Sequence, residues 1–176
     1  MATLTLLVGL PGAGKTTRAR ALAAQTGALR LTPDEWMIPL FGESEAGGKR
    51  DVLEGRLIWV ALQTLRLGTD VVLDFGFWGR DERTSLRALA ASVGAAATVV
   101  YLPIDRATQL ARIADRWIRT PEQTYPMSGV DVARWRAQFD EPDDRELSGD
   151  APGAPPPGWS SWFAWAASRW PSLDTT

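Results

Sequence analysis

The sequence predicts an α/β fold, in which helices cover both faces of a mostly parallel central sheet. Short apolar runs rich in β-branched residues, such as Val71–Leu73 and Thr98–Tyr101, suit parallel strands that are covered on both sides. Helical patterns alternate with these runs, which is typical of strands joined by right-handed crossovers. We expect residues 1–176 to form a single domain, because the chain is long enough for one hydrophobic core.

Four segments read as strands and four as helices. The predicted strands are Thr3–Val8, Ala28–Leu31, Asp70–Asp74 and Ala97–Leu102. The predicted helices are Thr16–Gln25, Asp51–Leu67, Asp81–Val93 and Asp105–Trp117. No fifth strand is visible in the sequence, and no segment repeats another.

The C-terminal part of the chain is rich in tryptophan. The connection Ala151–Gly158 is rich in Pro and Gly, so it cannot be a regular helix or a central strand. A helix is expected over residues 159–170, where Trp159, Trp162 and Trp165 recur every third residue. We favour an aromatic face that docks on the sheet; the alternatives are a wall for an aromatic ligand and a dimer interface.

A glycine-rich loop joins the first predicted strand to the first predicted helix. Its sequence Gly9–Thr16 (GLPGAGKT) matches the phosphate-binding motif G-x-x-x-x-G-K-[ST] without a gap. In such a loop, backbone N–H groups and the positive end of the following helix dipole bind the phosphates of a nucleotide. The expected nucleotide-binding residues are Gly12, Ala13, Gly14, Lys15, Thr16 and Thr17.

Two polar side chains are predicted to bind Mg²⁺. The hydroxyl of Thr16, which ends the motif, is suited to a direct magnesium ligand. Asp74 ends the apolar run Val71–Leu73, and a carboxylate at the end of such a strand organises magnesium in phosphate-loop proteins. The alternative for Asp74 is a simple turn cap.

Asp34 is the predicted general base. It follows the second predicted strand, at the sheet edge where open α/β folds bind ligands. A carboxylate there can accept a proton from a substrate hydroxyl. The alternative is a helix cap, because Thr32, Pro33 and Glu35 fit a capping box in which Asp34 only complements the helix dipole.

Several arginines are candidates for binding phosphate. Arg112 and Arg116 lie four residues apart and share one face of a predicted helix. The helix precedes Thr120–Gly129, which reads as a loop or lid. Closure of the lid with these arginines over the γ-phosphate would stabilise charge, whereas the alternative is a solvated helix face. Arg80 and Arg83 either bind a substrate phosphate, steady the base, or are surface charge at a helix start.

Composition excludes several kinds of chemistry. The sequence has no Cys and no His, so disulfides, thiolate nucleophiles, histidine bases and Cys or His metal sites cannot form. A net charge of −2 argues against a general nucleic-acid binder. The apolar N-terminal run is too short to span a bilayer and does not resemble a signal peptide, so we expect no membrane partner and a cytoplasmic location.

With these residues in place, the chain resembles the small P-loop kinases of the zeta-toxin, polynucleotide-kinase and chloramphenicol-phosphotransferase group, which have an AAA-type ATP-binding domain. The likeness spans about residues 3 to 130. It rests on Gly9–Thr16, Asp34, Asp74 and the Arg112/Arg116 helix before the lid. It implies a three-layer P-loop kinase fold with a lid, in which the strand ending at Asp74 lies next to the strand before the loop.

The same resemblance implies the chemistry. It implies ATP with Mg²⁺ as the phosphate donor and transfer to a hydroxyl group. By this likeness Asp34 is the general base, Lys15 and Thr16 are ligands of ATP and Mg²⁺, and Arg112 or Arg116 is the lid arginine. The catalytic residues are therefore expected to be Lys15, Asp34, Arg112 and Arg116.

The predicted function is an ATP- and Mg²⁺-dependent phosphotransferase that moves the γ-phosphate to a hydroxyl of a small-molecule acceptor. The acidic balance and the aromatic residues Trp36, Phe75, Phe77 and Trp78 near the expected cleft favour an apolar or ring-containing acceptor over a long nucleic acid. A 5′-hydroxyl polynucleotide kinase is the alternative within the enzymes. A nucleotide-binding switch that hydrolyses ATP slowly, if at all, is the alternative from another class.

Overall fold

Four parallel strands form the centre of the protein. The computed structural model describes residues 1–43, 46–119 and 127–173. The strands in this part of the chain are β1 Thr3–Val8, β2 Leu29–Leu31, β3 Val71–Gly76 and β4 Ala96–Tyr101. They form one sheet in the order β2-β3-β1-β4, and every neighbouring pair is parallel. The predicted α/β fold is confirmed, and each strand ends within two residues of its predicted bounds.

Eight α-helices accompany the strands in the described ranges. They are α1 Lys15–Thr26, α2 Asp34–Phe41, α3 Lys49–Arg66, α4 Arg80–Ser92, α5 Arg106–Arg119, α6 Gly129–Gln138, α7 Asp144–Ser148 and α8 Trp162–Arg169. Helices α1, α3, α4 and α5 are expected from the sequence, and α8 lies within the helix expected over residues 159–170. Helices α6 and α7 were not expected, although Ser128 and Asp143 cap their N-termini by accepting backbone hydrogen bonds. Of the helices described, none is long and apolar enough to cross a membrane.

Side chains that alternate along β1 cover both faces of the sheet. Leu4, Leu6 and Val8 are buried in the main core, which includes residues of α3, α4 and α8. Leu7 is buried on the opposite face, where it packs with Ala19 of α1. β1 lies between β3 and β4, so the glycine-rich loop that follows it is flanked by neighbouring strands. The loop lies at the carboxyl ends of the strands, where ligands bind in such folds.

The C-terminal segment packs on the face formed by α3 and α4. Helix α8 begins at Trp162, whose indole N–H donates to the carbonyl of Gly153 at 2.6 Å. Trp170, directly after α8, is completely buried in the main core. Trp159 lies before the helix and is 38% exposed. Trp162 and Trp170 are thus both buried, and only Trp159 of these three tryptophans is exposed.

A buried ion pair connects α7 to α4, the helix that follows β3. The guanidinium of Arg83 is completely buried and binds both carboxylate oxygens of Glu146, at 2.8 and 2.9 Å. Its Nη1 also donates to the carbonyls of Phe77 and Trp78, at 3.2 and 3.3 Å. Arg83 is thus a structural residue, and the interpretations of it as surface charge or as a substrate ligand are wrong.

Removal of one partner of this pair leaves the other charge buried without compensation. We expect Glu146→Ala to lower the free energy of unfolding by about 3 kcal/mol, measured by urea denaturation. Arg145→Ala, which changes an exposed side chain on the same helix, is the control and should stay within about 0.5 kcal/mol of the parent. An equal loss in both variants would contradict a special role for the buried pair.

Candidate active site

The glycine-rich loop has the backbone that phosphate binding requires. Gly12 and Gly14 have φ angles of +85° and +93°, in the left-handed region that side chains with a Cβ rarely adopt. Helix α1 begins at Lys15, directly after the loop, so the N–H groups of its first turn lie next to the loop. Loop and helix N-terminus together form a site suited to an anion.

Lys15 is held at the centre of the loop. Its Nζ donates to the carbonyls of Gly9 and Leu10, at 2.8 and 3.2 Å. Burial lowers the pKa of Lys15, although the nearby carboxylates of Asp74 and Asp34 oppose this effect. The predicted lysine and the two predicted carboxylates therefore lie within electrostatic reach of one another.

Asp74 lies in β3, the strand adjacent to β1, and is only 5% exposed. Burial raises the pKa of Asp74, and the Thr16 hydroxyl, Lys15 and Arg30 oppose this rise. The Nη1 of Arg30 lies 3.5 Å from Oδ2 of Asp74. The structure thus brings the two predicted magnesium ligands, Thr16 and Asp74, into contact range.

The residues near the loop fit Mg²⁺ only if the nucleotide supplies ligands as well. Mg²⁺ prefers oxygen ligands and is usually bound by one or two protein groups together with phosphates and waters. Thr16 and Asp74 provide two such oxygens. Within the described ranges, no group of three or more acidic, His or Cys side chains could hold a metal ion without other ligands.

Asp34 is the first residue of α2, and its side chain is 69% exposed. Its Oδ1 accepts a hydrogen bond from Nη1 of Arg50 at 3.0 Å. The capping box, which was the alternative interpretation, does not form, because the N-terminus of α2 has no side-chain cap hydrogen bond. Glu35 instead pairs with Arg20 at 3.1 Å and with Arg30, so these arginines compete successfully for the carboxylate that the box needs.

Helix α5 places the predicted arginines beside the loop. The Nη1 of Arg112 donates to the carbonyl of Gly12 at 3.1 Å. Arg116, one turn later, is close enough to Lys15 to contribute to the lowering of its pKa. Of the expected lid over Thr120–Gly129, residues 120–126 lie outside the described residues.

The sequence interpretation missed two residues that fix the loop from outside. Gln109 of α5 is completely buried, and its Nε2 donates to the carbonyl of Pro11 at 3.1 Å. Its Oε1 accepts from Nη1 of Arg136 at 2.8 Å, and both Nη atoms of Arg136 lie 3.1 Å from the carbonyl of Ile104. Only the spacing of Gln109, three residues before Arg112, could have placed it on the loop-facing side of α5.

The aromatic residues expected near the cleft divide into two groups. Phe77 is buried in the main core and stacks on Phe75 at 5.2 Å, while Trp78 packs edge-on against Trp135 at 6.2 Å. Phe75 and Phe77 therefore pack in the main core and Trp78 on a second buried cluster, so the ring of Phe77 offers almost no surface to an acceptor. Trp36 is different, because it is 47% exposed and lies two residues after Asp34.

A cavity of about 530 Å³ lies beside the loop. Its volume is in the range of small-ligand sites. It is lined by Gly12, Gly14, Thr17, Arg18, Ala21 and Arg112.

The parallel sheet, the glycine-rich loop after its inner strand and the Thr16–Asp74 contact together define a P-loop protein of the kinase-like type. Residues 4–142 match the AAA domain family, and the chain belongs to this family. The family and fold expected from the sequence are thus confirmed. No curated protein sequence matches the chain.

Solved structures with the same fold have low sequence identity to this chain. A candidate kinase from Chloroflexus aurantiacus is 20% identical, with a TM-score of 0.64 over 80% of this chain and 78% of that one. Kti12 from Chaetomium thermophilum, solved with ADP-AlF3, is 16% identical, with a TM-score of 0.61 over 97% and 99%. A chain of the Pnkp1/Rnl/Hen1 RNA repair complex is 21% identical, with a TM-score of 0.59 over 78% of this chain but 43% of that one. At these identities the likeness shows the fold.

The buried carboxylate of Asp74 is expected to destabilise the protein at neutral pH. Its pKa is raised in the folded state, so the folded protein binds this proton more tightly than the unfolded chain. The resulting loss of stability is absent below the unfolded-state pKa of about 4 and develops as pH rises through the folded-state value.

We therefore expect Asp74→Asn to raise the free energy of unfolding at pH 7 by about 1 kcal/mol, or Tm by about 2–4 °C. The gain should shrink towards about pH 4, as followed by thermal unfolding at several pH values. Asp144→Asn, at an exposed position, is the control. A lower Tm for Asp74→Asn at pH 7 would mean that attraction to Lys15 and Arg30 outweighs burial.

Proposed function

We propose that the protein is an ATP- and Mg²⁺-dependent phosphotransferase that moves the γ-phosphate to a hydroxyl of a small-molecule acceptor. One observation carries this proposal: a buried and an exposed carboxylate, Asp74 and Asp34, both lie within electrostatic reach of Lys15 in the phosphate loop. Two carboxylates in such different surroundings suit two different tasks. The buried carboxylate of Asp74 suits a metal ligand, and the exposed carboxylate of Asp34 suits a proton acceptor.

We assign the glycine-rich loop to binding of the nucleotide. Gly12, Ala13, Gly14, Lys15, Thr16 and Thr17 bind its phosphates through backbone N–H groups, the Lys15 ammonium and the threonine hydroxyls. Thr16 and Asp74 hold Mg²⁺, which when bound neutralises charge on the phosphate oxygens. The geometry supports these roles, because α1 begins at the loop and the Thr16 hydroxyl interacts with Asp74.

The proposed reaction is a direct transfer. The carboxylate of Asp34 accepts the proton of the acceptor hydroxyl, whose oxygen forms a bond to the γ-phosphorus. The bond from the γ-phosphorus to the bridging oxygen breaks, and its electron pair leaves with ADP. Lys15, Arg112 and Arg116 stabilise the charge on the transferring group. Most of the rate enhancement comes from positioning and electrostatics.

The charges near Asp34 support a small acceptor over a polynucleotide. Arg20, Arg30 and Arg50, which surround the start of α2, each bind a carboxylate of this chain. A polynucleotide needs cations that neutralise its phosphates. The ring of Trp36, in the same first turn of α2 as Asp34, is 47% exposed and leaves an apolar surface near the start of this helix.

Removal of the proposed base should separate chemistry from binding. We expect Asp34→Asn to lower the rate of acceptor-dependent ADP release by about a hundredfold or more, because general-base catalysis has this scale. The affinity for Mg·ATP, measured by calorimetry, should change little, since Asp34 is exposed and outside the loop. Asp144→Asn serves as the matched control.

ADP release should be followed with hydroxylated metabolites, chloramphenicol and a 5′-hydroxyl oligonucleotide as acceptors. Stimulation by a small molecule supports the proposal. Stimulation only by the oligonucleotide, weakening as salt rises, would replace it with a polynucleotide kinase. ATP binding with no stimulation by any acceptor, and an unchanged basal rate in Asp34→Asn, would indicate a switch.

The metal assignment has its own test. We expect Asp74→Asn to reduce the strengthening of ATP binding by Mg²⁺ by about tenfold or more. Calorimetric titrations of ATP with Mg²⁺ and with EDTA separate this effect from direct phosphate binding. If Mg²⁺ strengthens binding equally in parent and variant, Asp74 does not bind the metal.

A further inference from the structure

A chain of hydrogen bonds connects the tryptophan-rich tail to Asp34. The indole N–H of Trp170 donates to Oε2 of Glu54 at 3.1 Å. The other oxygen of Glu54, Oε1, accepts from Nε of Arg50 at 3.1 Å. Nη1 of Arg50 then donates to Oδ1 of Asp34 at 3.0 Å. Three side-chain contacts thus span from residue 170 to residue 34.

Burial along this chain decreases towards Asp34. Trp170 is completely buried and Glu54 is 7% exposed, whereas the side chains of Arg50 and Asp34 are 19% and 69% exposed. The inner end is therefore packed in the core, and the outer end reaches solvent. Burial raises the pKa of Glu54, while Arg50 and the Trp170 indole oppose this rise, so both contacts favour the charged carboxylate that orients the arginine.

The planar guanidinium of Arg50 transmits this orientation. Its Nε is fixed by Glu54 and its Nη1 meets Asp34, so the direction of the second bond depends on the first. Both bonds join charged groups, which makes them stronger than neutral ones. A lysine has a single ammonium on a flexible stem and cannot reproduce this fixed geometry.

The tail is seated on the helix that carries Arg50 and Glu54. Arg169 bridges Asp51 of α3 at 2.6 Å and Glu82 of α4 at 2.9 Å. Arg56 donates to the carbonyl of Ser172 at 2.8 Å. A Cβ at Gly55 would come within 2.5 Å of the Ser172 hydroxyl, so the tail lies directly against the α3 backbone. The position of Trp170 relative to Glu54 is thus well defined.

We propose that Arg50 is a positioning residue for the base Asp34. Glu54 of α3 holds Arg50 in place, and Trp170 of the C-terminal segment holds Glu54. Because Oδ1 of Asp34 accepts the bond from Arg50, Oδ2 is the oxygen that takes the hydroxyl proton. This inference rests on the proposed function, since it gives the tail a role in orienting the group that activates the acceptor.

The test compares two tryptophan variants of the same segment. Trp170→Phe removes the indole N–H that binds Glu54. Trp162→Phe removes the indole N–H that binds the carbonyl of Gly153, a contact outside the hydrogen-bond chain to Asp34. Crystal structures of both variants with Mg·ADP measure the distance from Arg50 Nη1 to Asp34 Oδ1. We expect this distance to exceed hydrogen-bonding range in Trp170→Phe and to stay near 3.0 Å in Trp162→Phe.

The second readout is the rate of ADP release. It is measured with the acceptor that stimulates it in the panel above or, if no acceptor does, as the basal rate of ATP hydrolysis. We expect kcat to fall about tenfold to a hundredfold in Arg50→Met, the scale of a hydrogen bond between charged groups. The fall should be smaller, about fivefold, in Trp170→Phe, because Trp170 acts on Asp34 only through Glu54 and Arg50. Arg50→Lys should recover only part of the loss. The Kd for Mg·ATP should stay within about twofold, which a general loss of structure would not allow.

The outcomes separate the two proposals. Equal losses of kcat in Trp170→Phe and Trp162→Phe, or an intact Arg50–Asp34 contact in Trp170→Phe, would overturn the role of the tail. A full rate in Arg50→Met beside a slow Asp34→Asn would overturn the positioning role and leave the proposed base in place. Unchanged turnover in Asp34→Asn would instead overturn the proposed function, whatever distances the crystals show.

Discussion

The parallel pairing of β1 with β3 is the interaction on which the site depends. Both strands end at the same edge of the sheet, so the loop after β1 and the carboxylate in β3 meet there. Leu6 pairs with Leu73 but Val8 pairs with Gly76, so β3 has one extra residue at this point. Asp74 lies within this irregular stretch, and such a bulge changes the direction of side chains next to many active sites. The same feature therefore ends regular pairing and brings a carboxylate towards the loop.

The electrostatics of the site follow from this arrangement. Burial lowers the pKa of Lys15 and raises that of Asp74, so each charge is poorly solvated in spite of the attraction between them. Charges in such surroundings interact strongly with an incoming charge of opposite sign. A polyphosphate suits the lysine and a divalent cation suits the aspartate. Asp34, in contrast, is exposed to solvent and held by Arg50.

Local signals were enough to predict the loop, the four strands and the main helices. The loop is one contiguous motif, and the strand periodicity needs only a few neighbouring residues. The contacts around the site could not be predicted in this way, because Arg50 meets Asp34 and Gln109 meets Pro11 only after the chain has folded. The sequence also left open whether Glu35 completes a capping box, and the structure shows that arginines from other elements bind it instead. The hydrogen-bond partners around the site are thus distant in sequence, and short-range patterns could not predict them.

Residues beyond 142, where the family match ends, contact elements that frame the candidate site. Glu146 neutralises the buried Arg83, whose Nη1 also binds the carbonyls of Phe77 and Trp78 after β3. Trp170 binds Glu54, and through it the arginine that contacts the proposed base. Both contacts join residues beyond the family match to elements that frame the site. An unpaired charge buried at Arg83 would be costly, so Glu146 is expected to stabilise the part of the chain that the family model matches.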